Sequence, residues 1–179
     1  MNDRLVWIDL EMSGLDPDRH VILEIAAIVT DGNLEVVAEG PDIVIHHPEG
    51  NLTSMEAWSQ EHHRASGLLK RVAESEDNCS DGEKKTLAFL ARHCAKGRSP
   101  LCGNSVWQDR RFLVRHMPAL HAFLHYRNID VSSVKELVRR WYPALPAYRK
   151  QKAHLALMDI KESIAELKYY REKVFVPVA

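Results

Sequence analysis

The chain has 179 residues, of which 45% are hydrophobic and 27% charged, with a formal net charge of −1. That length suffices to bury a core as one domain over 1–179, and the composition excludes the disordered and fibrous classes. No basic stretch followed by an apolar run opens the sequence, and no apolar run approaches the ~18 residues of a membrane span, so a cytoplasmic, membrane-free setting is expected.

The charge is unevenly spread: residues 1–83 carry 5 basic and 18 acidic side chains, whereas residues 84–179 carry 19 and 7. Such asymmetry fits a polyanionic ligand for the second half, and it equally fits two complementary halves that attract each other within one fold. Cys79, Cys94 and Cys102 form no C-x-x-C pair, so neither a disulfide framework nor a structural zinc site is suggested.

Taken in order, residues 4–10, 21–30 and 34–46 are rich in Val and Ile and read as strands, the last two flanking Asp31-Gly32-Asn33, a hairpin signal. Thr53 with Glu56 has the spacing of a capping box opening a helix that Gly67 ends, and residues 68–75 add a short one. Ser80 with Glu83 repeats the box before a helix closed by Gly97. Residues 100–102 form a short buried strand. GNSVWQDRRFLVRH is a loop feeding a helix that stops near Pro118, NIDV is a fifth strand before the helix SVKELVRRWY, and residues 154–173 make the last helix. The order predicts an α/β fold, a mixed five-stranded sheet with an antiparallel start, flanked by helices.

The acidic positions carry the chemistry. In VWIDLEMSGLDP, Asp9 and Glu11 are two apart on a strand, so both carboxylates project from one face while Ile8 and Leu10 face the other way. Their mutual repulsion is relieved by a shared proton or by hard divalent cations, which prefer oxygen ligands. For D-x-E alone a solvated acidic edge is the commoner explanation. Asp109 falls near a helix start, where the helix dipole supports a negative charge, and His154 and Asp159 lie five apart at the start of the final helix. Each taken singly is weak.

Together, DLE on the first strand, an Asp in a GNSxxxDRRFL block and an H-x4-D on the last helix resemble the three motifs of the DEDD exonuclease superfamily, His subclass. WIDLEMSGLDP, MEAWSQEHHRASGL, GNSVWQDRRFL, HYRNIDVSSVKELVRRW and HLALMDIKESIAELKYYRE resemble oligoribonucleases in order, over nearly the whole chain.

The resemblance implies an RNase H-like fold and a 3′-to-5′ exoribonuclease that hydrolyses very short single-stranded RNA oligomers to 5′-mononucleotides. It implies that Asp9, Glu11, Asp109 and Asp159 hold two divalent cations, Mg²⁺ or Mn²⁺, with His154 as general base. It also implies that Leu15, Trp58 and His63 pack around the bases, joined by Tyr126 from the neighbouring protomer of a homodimer, with no obligate protein partner. Arg127, Ser132, Ser105 and, less closely matched, Ser133 then cap the 5′ phosphate, which selects for length over sequence. Plain core packing is the ordinary alternative for Trp58 and Leu15. Met158, where relatives often carry an acid, and Trp107, where a small residue is usual, depart from the family pattern without removing a ligand.

Two other functions compete. A nuclease of the same superfamily could trim longer RNA tails or proofread DNA, and a catalytically silent nucleotide-binding module could keep the fold. The second should have lost at least one of the five motif residues, and none is missing.

Overall fold

The alternation read in the first motif is realised in β1 (Arg4–Met12), which separates two helical layers. In the computed structural model, which describes residues 3–149 and 155–176, β1 pairs antiparallel with β2 (Ile22–Asp31), and β2 with β3 (Val36–Val44). The short strands β4 (Leu101–Gly103) and β5 (Asn128–Asp130) continue the sheet in parallel, giving the order β3-β2-β1-β4-β5. This is the mixed, five-stranded, antiparallel-first sheet expected.

Val6, Ile8 and Leu10 enter a core completed by α3 (Cys79–His93), α4 (Trp107–His116) and α5 (Pro118–Phe123). Leu5 and Trp7 enter a second core, built with α6 (Val131–Trp141) and α7 (Ala156–Val174). The indole N–H of the fully buried Trp7 donates to Thr30 Oγ1 at 3.0 Å, so the large ring is buried without an orphaned donor. A smaller cluster around Leu23, Leu68 and Val72 seats α2 (Leu68–Glu74), which follows α1 (Ala57–Ala65) through the left-handed Gly67. No described helix is long and apolar enough to cross a membrane.

Several local signals resolve differently from their sequence reading. Asp31-Gly32 does mark the hairpin, but the positive φ falls on Leu34, at 70°. Asp31 Oδ1 accepts from the N–H groups of Asn33 and Glu35, and burial of the Leu34 side chain offsets its backbone strain. Thr53 is not a cap: its hydroxyl donates to Gly50 O, and α1 starts only after Glu56. The box before α3 is Asn78 with Asp81, not Ser80 with Glu83. Glu83 Oε1 instead accepts from the N–H groups of Ala119 and Leu120, capping α5 from across the layer. Pro118, expected as a stop, sits in the first turn of α5, where its missing N–H costs nothing. Gly97 (φ 72°) follows α3 by several residues, since the helix ends at His93.

Candidate active site

β4 ends at Gly103, opposite the middle of β1, so the last residues of β1 run on without a strand on that side. Asp9 and Glu11 stand on this overhang and face α7. Asp159, in the first turn of α7, meets them: one carboxylate oxygen from each of the three acids lies within 4.8 Å of the other two. Burial first, then the charges of Asp159, Glu24 and Asp109, push the Glu11 carboxyl up to about 8 from its ordinary 4.5.

Asp109 is the fourth acid. It lies in the first turn of α4, 5% exposed, and its Oδ1 accepts from the backbone N–H of Leu10 at 3.0 Å. Burial lifts it to about 7, against the lowering effect of that hydrogen bond. The three-acid cluster thus has Asp109 close enough for its charge to raise Glu11. Three carboxylate oxygens converging with a fourth acid beside them form a donor set suited to hard divalent cations, whose charge would offset both the burial and the repulsion that keep Glu11 protonated. His154 lies outside the described residues.

One contributor was not read from the sequence. Glu24, opposite Glu11 on β2, is fully buried; its Oε2 accepts from the N–H of Ala156, the first residue of α7, at 3.1 Å. Its Oε1 lies 2.6 Å from Arg71 Nη1. Burial raises the Glu24 carboxyl, while the Ala156 N–H and Arg71 act to lower it and Asp42 to raise it. The pair fixes where α7 begins, three residues before Asp159. A single acid inside the apolar run VILEIAAIV is the signal that could have found it.

Leu15 and Trp58 are each 60% exposed, so neither is a core residue. The Trp58 ring stacks on His62 at 3.8 Å between centroids. Leu15 is presented by a braced loop. Its carbonyl accepts from Gln108 Nε2 at 2.6 Å and its N–H donates to Glu56 Oε1 at 3.3 Å. His116 Nε2 donates to Pro17 O and His20 Nε2 to Ser54 O. A side chain on Gly14 would meet the His20 ring 2.6 Å from its Cβ, which explains the glycine after Ser13. His63 is buried, with Nε2 2.9 Å from Met12 O and Nδ1 3.8 Å from Glu11 Oε2, at the rim of the acid cluster.

Ser105 and Ser132 are brought together, their hydroxyl oxygens 3.2 Å apart. Asp130, also unread in the sequence, accepts through Oδ1 from the N–H groups of both serines. Ser133 is exposed on the same turn of α6. Tyr126, 74% exposed, precedes β5, and the Arg127 guanidinium lies over its ring at 5.4 Å. These two therefore stand at the opposite end of β5 from Ser132. Trp107 and Met158 are both exposed, and Arg111 covers the Trp107 ring at 5.8 Å.

The family described as Exonuclease matches residues 6–167. Relatives named Oligoribonuclease are 58% identical over 172 residues in Shewanella loihica, covering 96% of this chain and 95% of theirs, and 56% identical over 174 residues in Dichelobacter nodosus, covering 97% and 96%. Among solved structures, Exonuclease I from Methylocaldum szegediense superposes with a TM-score of 0.67 at 16% identity over 96% of this chain. The zinc-bound Escherichia coli ExoI–ssDNA complex gives a TM-score of 0.68 at 16% identity over 97%. The chain spans 41% of each of those two structures, and the likeness is one of fold.

Proposed function

The chain belongs to the oligoribonuclease family of exonucleases, and from that premise we propose that Asp9, Glu11, Asp109 and Asp159 hold two divalent cations, Mg²⁺ or Mn²⁺, with His154 as general base. The protein has the family's RNase H-like fold and is a metal-dependent 3′-to-5′ exoribonuclease that hydrolyses very short RNA oligomers to 5′-mononucleotides. The observation that carries the site reading is the convergence of three carboxylates within 4.8 Å on the β1 overhang.

Divalent ions held by these four acids would supply a lowered pKa for the attacking water and positive charge for the oxygens that enter and leave phosphorus. The chain's own groups do the rest. Glu11, held protonated up to about 8 by burial and then by its acidic neighbours, would give up its proton on binding cations. His154 takes the proton of the water whose oxygen bonds to the 3′-terminal phosphorus. The P–O3′ bond breaks, and the O3′ of the preceding nucleotide leaves and is protonated. A neutral imidazole suits this near neutral pH better than a carboxylate committed to metal.

Leu15 and Trp58 hold the two bases, and their exposure supports this role over core packing, while the buried His63 takes part from behind, between Met12 O and Glu11. Ser105, Ser132 and Ser133 receive the 5′ phosphate, and Arg127, whose guanidinium lies over the Tyr126 ring at the other end of β5, has to turn from that ring to join them. Tyr126 completes the neighbouring site in a homodimer, consistent with its exposure at the far end of β5 from Ser132. The whole of 1–179 acts as one exonuclease domain in the cytoplasm, on short single-stranded RNA, without an obligate protein partner.

The test compares turnover per 3′ end on a 5′-phosphorylated diribonucleotide and on a long single strand. The dinucleotide is expected to be degraded faster. Faster loss of the long strand would replace length selection with tail trimming or proofreading.

A further inference from the structure

Serine hydroxyls rotate, so two of them make a defined donor surface only when neighbouring groups fix their protons. In the Ser105–Ser132 pair the backbone N–H groups are already committed to Asp130 Oδ1, at 3.0 and 2.9 Å. What a phosphate meets there is decided by the hydroxyls. Ser105 itself has φ 50°, in the left-handed region a serine rarely adopts, so its neighbours hold it in place.

Asn104 sets the hydroxyl pattern. Its Nδ2 donates to Ser163 Oγ at 2.7 Å and to Glu166 Oε2 at 3.3 Å, both on α7. Glu166 is wholly buried, and a carboxylate only accepts, so the NH₂ end of the amide must face it and Oδ1 must face the other way. Ser132 Oγ donates to that Oδ1 at 3.1 Å, and accepts from the Ser105 N–H at 3.0 Å and the Ser105 hydroxyl at 3.2 Å. Glu166 is clamped in turn. The Tyr170 hydroxyl donates to its Oε1 at 2.9 Å, and Lys135 Nζ lies 3.3 Å from the same oxygen. The acid cluster does not use Glu166. Its burial is accounted for by the orientation it imposes on Asn104.

We propose that Asn104 is the positioning residue of the subsite that takes the substrate's terminal phosphate. It anchors the Ser132 hydroxyl to α7, so that the Ser105 hydroxyl can swing its proton from Ser132 to a phosphate oxygen without Ser132 moving. The same side chain ties the subsite to the metal centre, because Ser163 donates to Asp159 O at 2.7 Å. This inference rests on the reading of Ser105 and Ser132 as the 5′-phosphate cap.

The experiment measures kcat and KM of the full chain on one diribonucleotide carrying either a 5′ phosphate or a 5′ hydroxyl. The wild type is expected to prefer the phosphorylated form, and Ser105→Ala, which removes the hydroxyl that turns to the phosphate, to lower the kcat/KM ratio of the two substrates about tenfold, as loss of a hydrogen bond to a charged group does. Asn104→Ala should lower the ratio by a similar factor, mainly through KM, and the double variant no further than Ser105→Ala alone. Asn104→Ser is too short to reach Ser132. It decides the matter in the same way if the alanine variant does not fold. A ratio left at its wild-type value in the Asn104 variants, or an equal loss on both substrates, overturns the proposal. A wild type without preference, or a Ser105→Ala variant that keeps it, overturns the cap reading and this inference with it.

Discussion

Asp109 and Leu10 are 99 positions apart in the chain and joined by one hydrogen bond, from the Leu10 N–H to Asp109 Oδ1 at 3.0 Å. The bond fills a gap left by the sheet, since β4 stops before it could pair with this part of β1. Asp109 is thus a strut of the fold as well as the proposed fourth charge of the active site, and two substitutions separate these roles. Asp109→Asn keeps an acceptor for Leu10 and removes the charge: turnover should fall roughly a thousandfold, on the several-kcal/mol scale of metal-assisted catalysis, with little change in the thermal midpoint. Asp109→Ala should lose turnover equally and also about 1–3 kcal/mol of stability from the orphaned N–H. Kinetics and melting of the two variants check this, and an active Asp109→Asn enzyme would remove Asp109 from the chemistry.

The acid cluster predicts how stability depends on pH. Glu11 holds its proton up to about 8 in the folded, metal-free protein, against 4.5 ordinarily, and Asp109 up to about 7, against 3.8. Between the ordinary and the raised values the folded state binds protons that the unfolded chain does not. Raising the pH across that window therefore removes stability. Mg²⁺ or Mn²⁺ reverses the trend, because ions bind the deprotonated acids. Melting curves taken with chelator should shift down between about pH 5 and about pH 8, and with saturating metal they should not. A metal-free midpoint that climbs over that range contradicts the burial and repulsion described for the cluster.

The Glu24–Arg71 pair is unequal: the Glu24 side chain is fully buried and that of Arg71 is 38% exposed. Removing the arginine strands a buried charge, so Arg71→Ala should cost roughly 2–4 kcal/mol, somewhat under the usual figure for a fully buried pair. Glu24→Gln retains an acceptor for the Ala156 N–H and should cost less. Urea titrations measure both. Because the pair sets the start of α7, Arg71→Ala should also weaken Mn²⁺ binding about tenfold through the placement of Asp159. An Arg71→Ala protein as stable as the wild type would deny the pair its structural part.

A site completed across a homodimer can be reconstituted from two defective chains. In the proposed homodimer, Tyr126→Ala would lack the ring lent to the neighbour, and Asp109→Asn a charge of its own site. Each should be nearly inactive alone. Mixed in equal amounts and allowed to exchange subunits, half of the dimers pair one of each, and each such dimer has one intact site. About a quarter of wild-type activity should return. No recovery after demonstrated exchange would place Tyr126 outside the neighbour's site.

The strand carrying Asp9 and Glu11 was legible because a period of two admits only one arrangement of side chains, and the hydrophobic run beside them fixed which face was buried. Capping signals were less informative. Residues 78–83 contain both Asn78-x-x-Asp81 and Ser80-x-x-Glu83, and only the packing of α5 against α3 decides that Glu83 serves a helix other than its own. α5, six residues long, has too little periodicity to be seen alone. Glu24 and Asn104 escaped because their partners, Ala156 and Arg71 for the first and Glu166 for the second, lie far away in the chain, so nothing adjacent announces them. Asp130 had a local sign, since it caps α6 by accepting from the Ser132 N–H two residues on, and only its bond to Ser105, 25 positions back, was hidden.

The loop that carries Leu15 is tied down by Gln108, Glu56, His20 and His116. A segment braced by four side chains from three parts of the chain does not behave as a flap. With Leu15 as the proposed base contact, a slot formed there would have its width set before an oligomer arrives, and no loop opening would stand between cleavage and the escape of the mononucleotide.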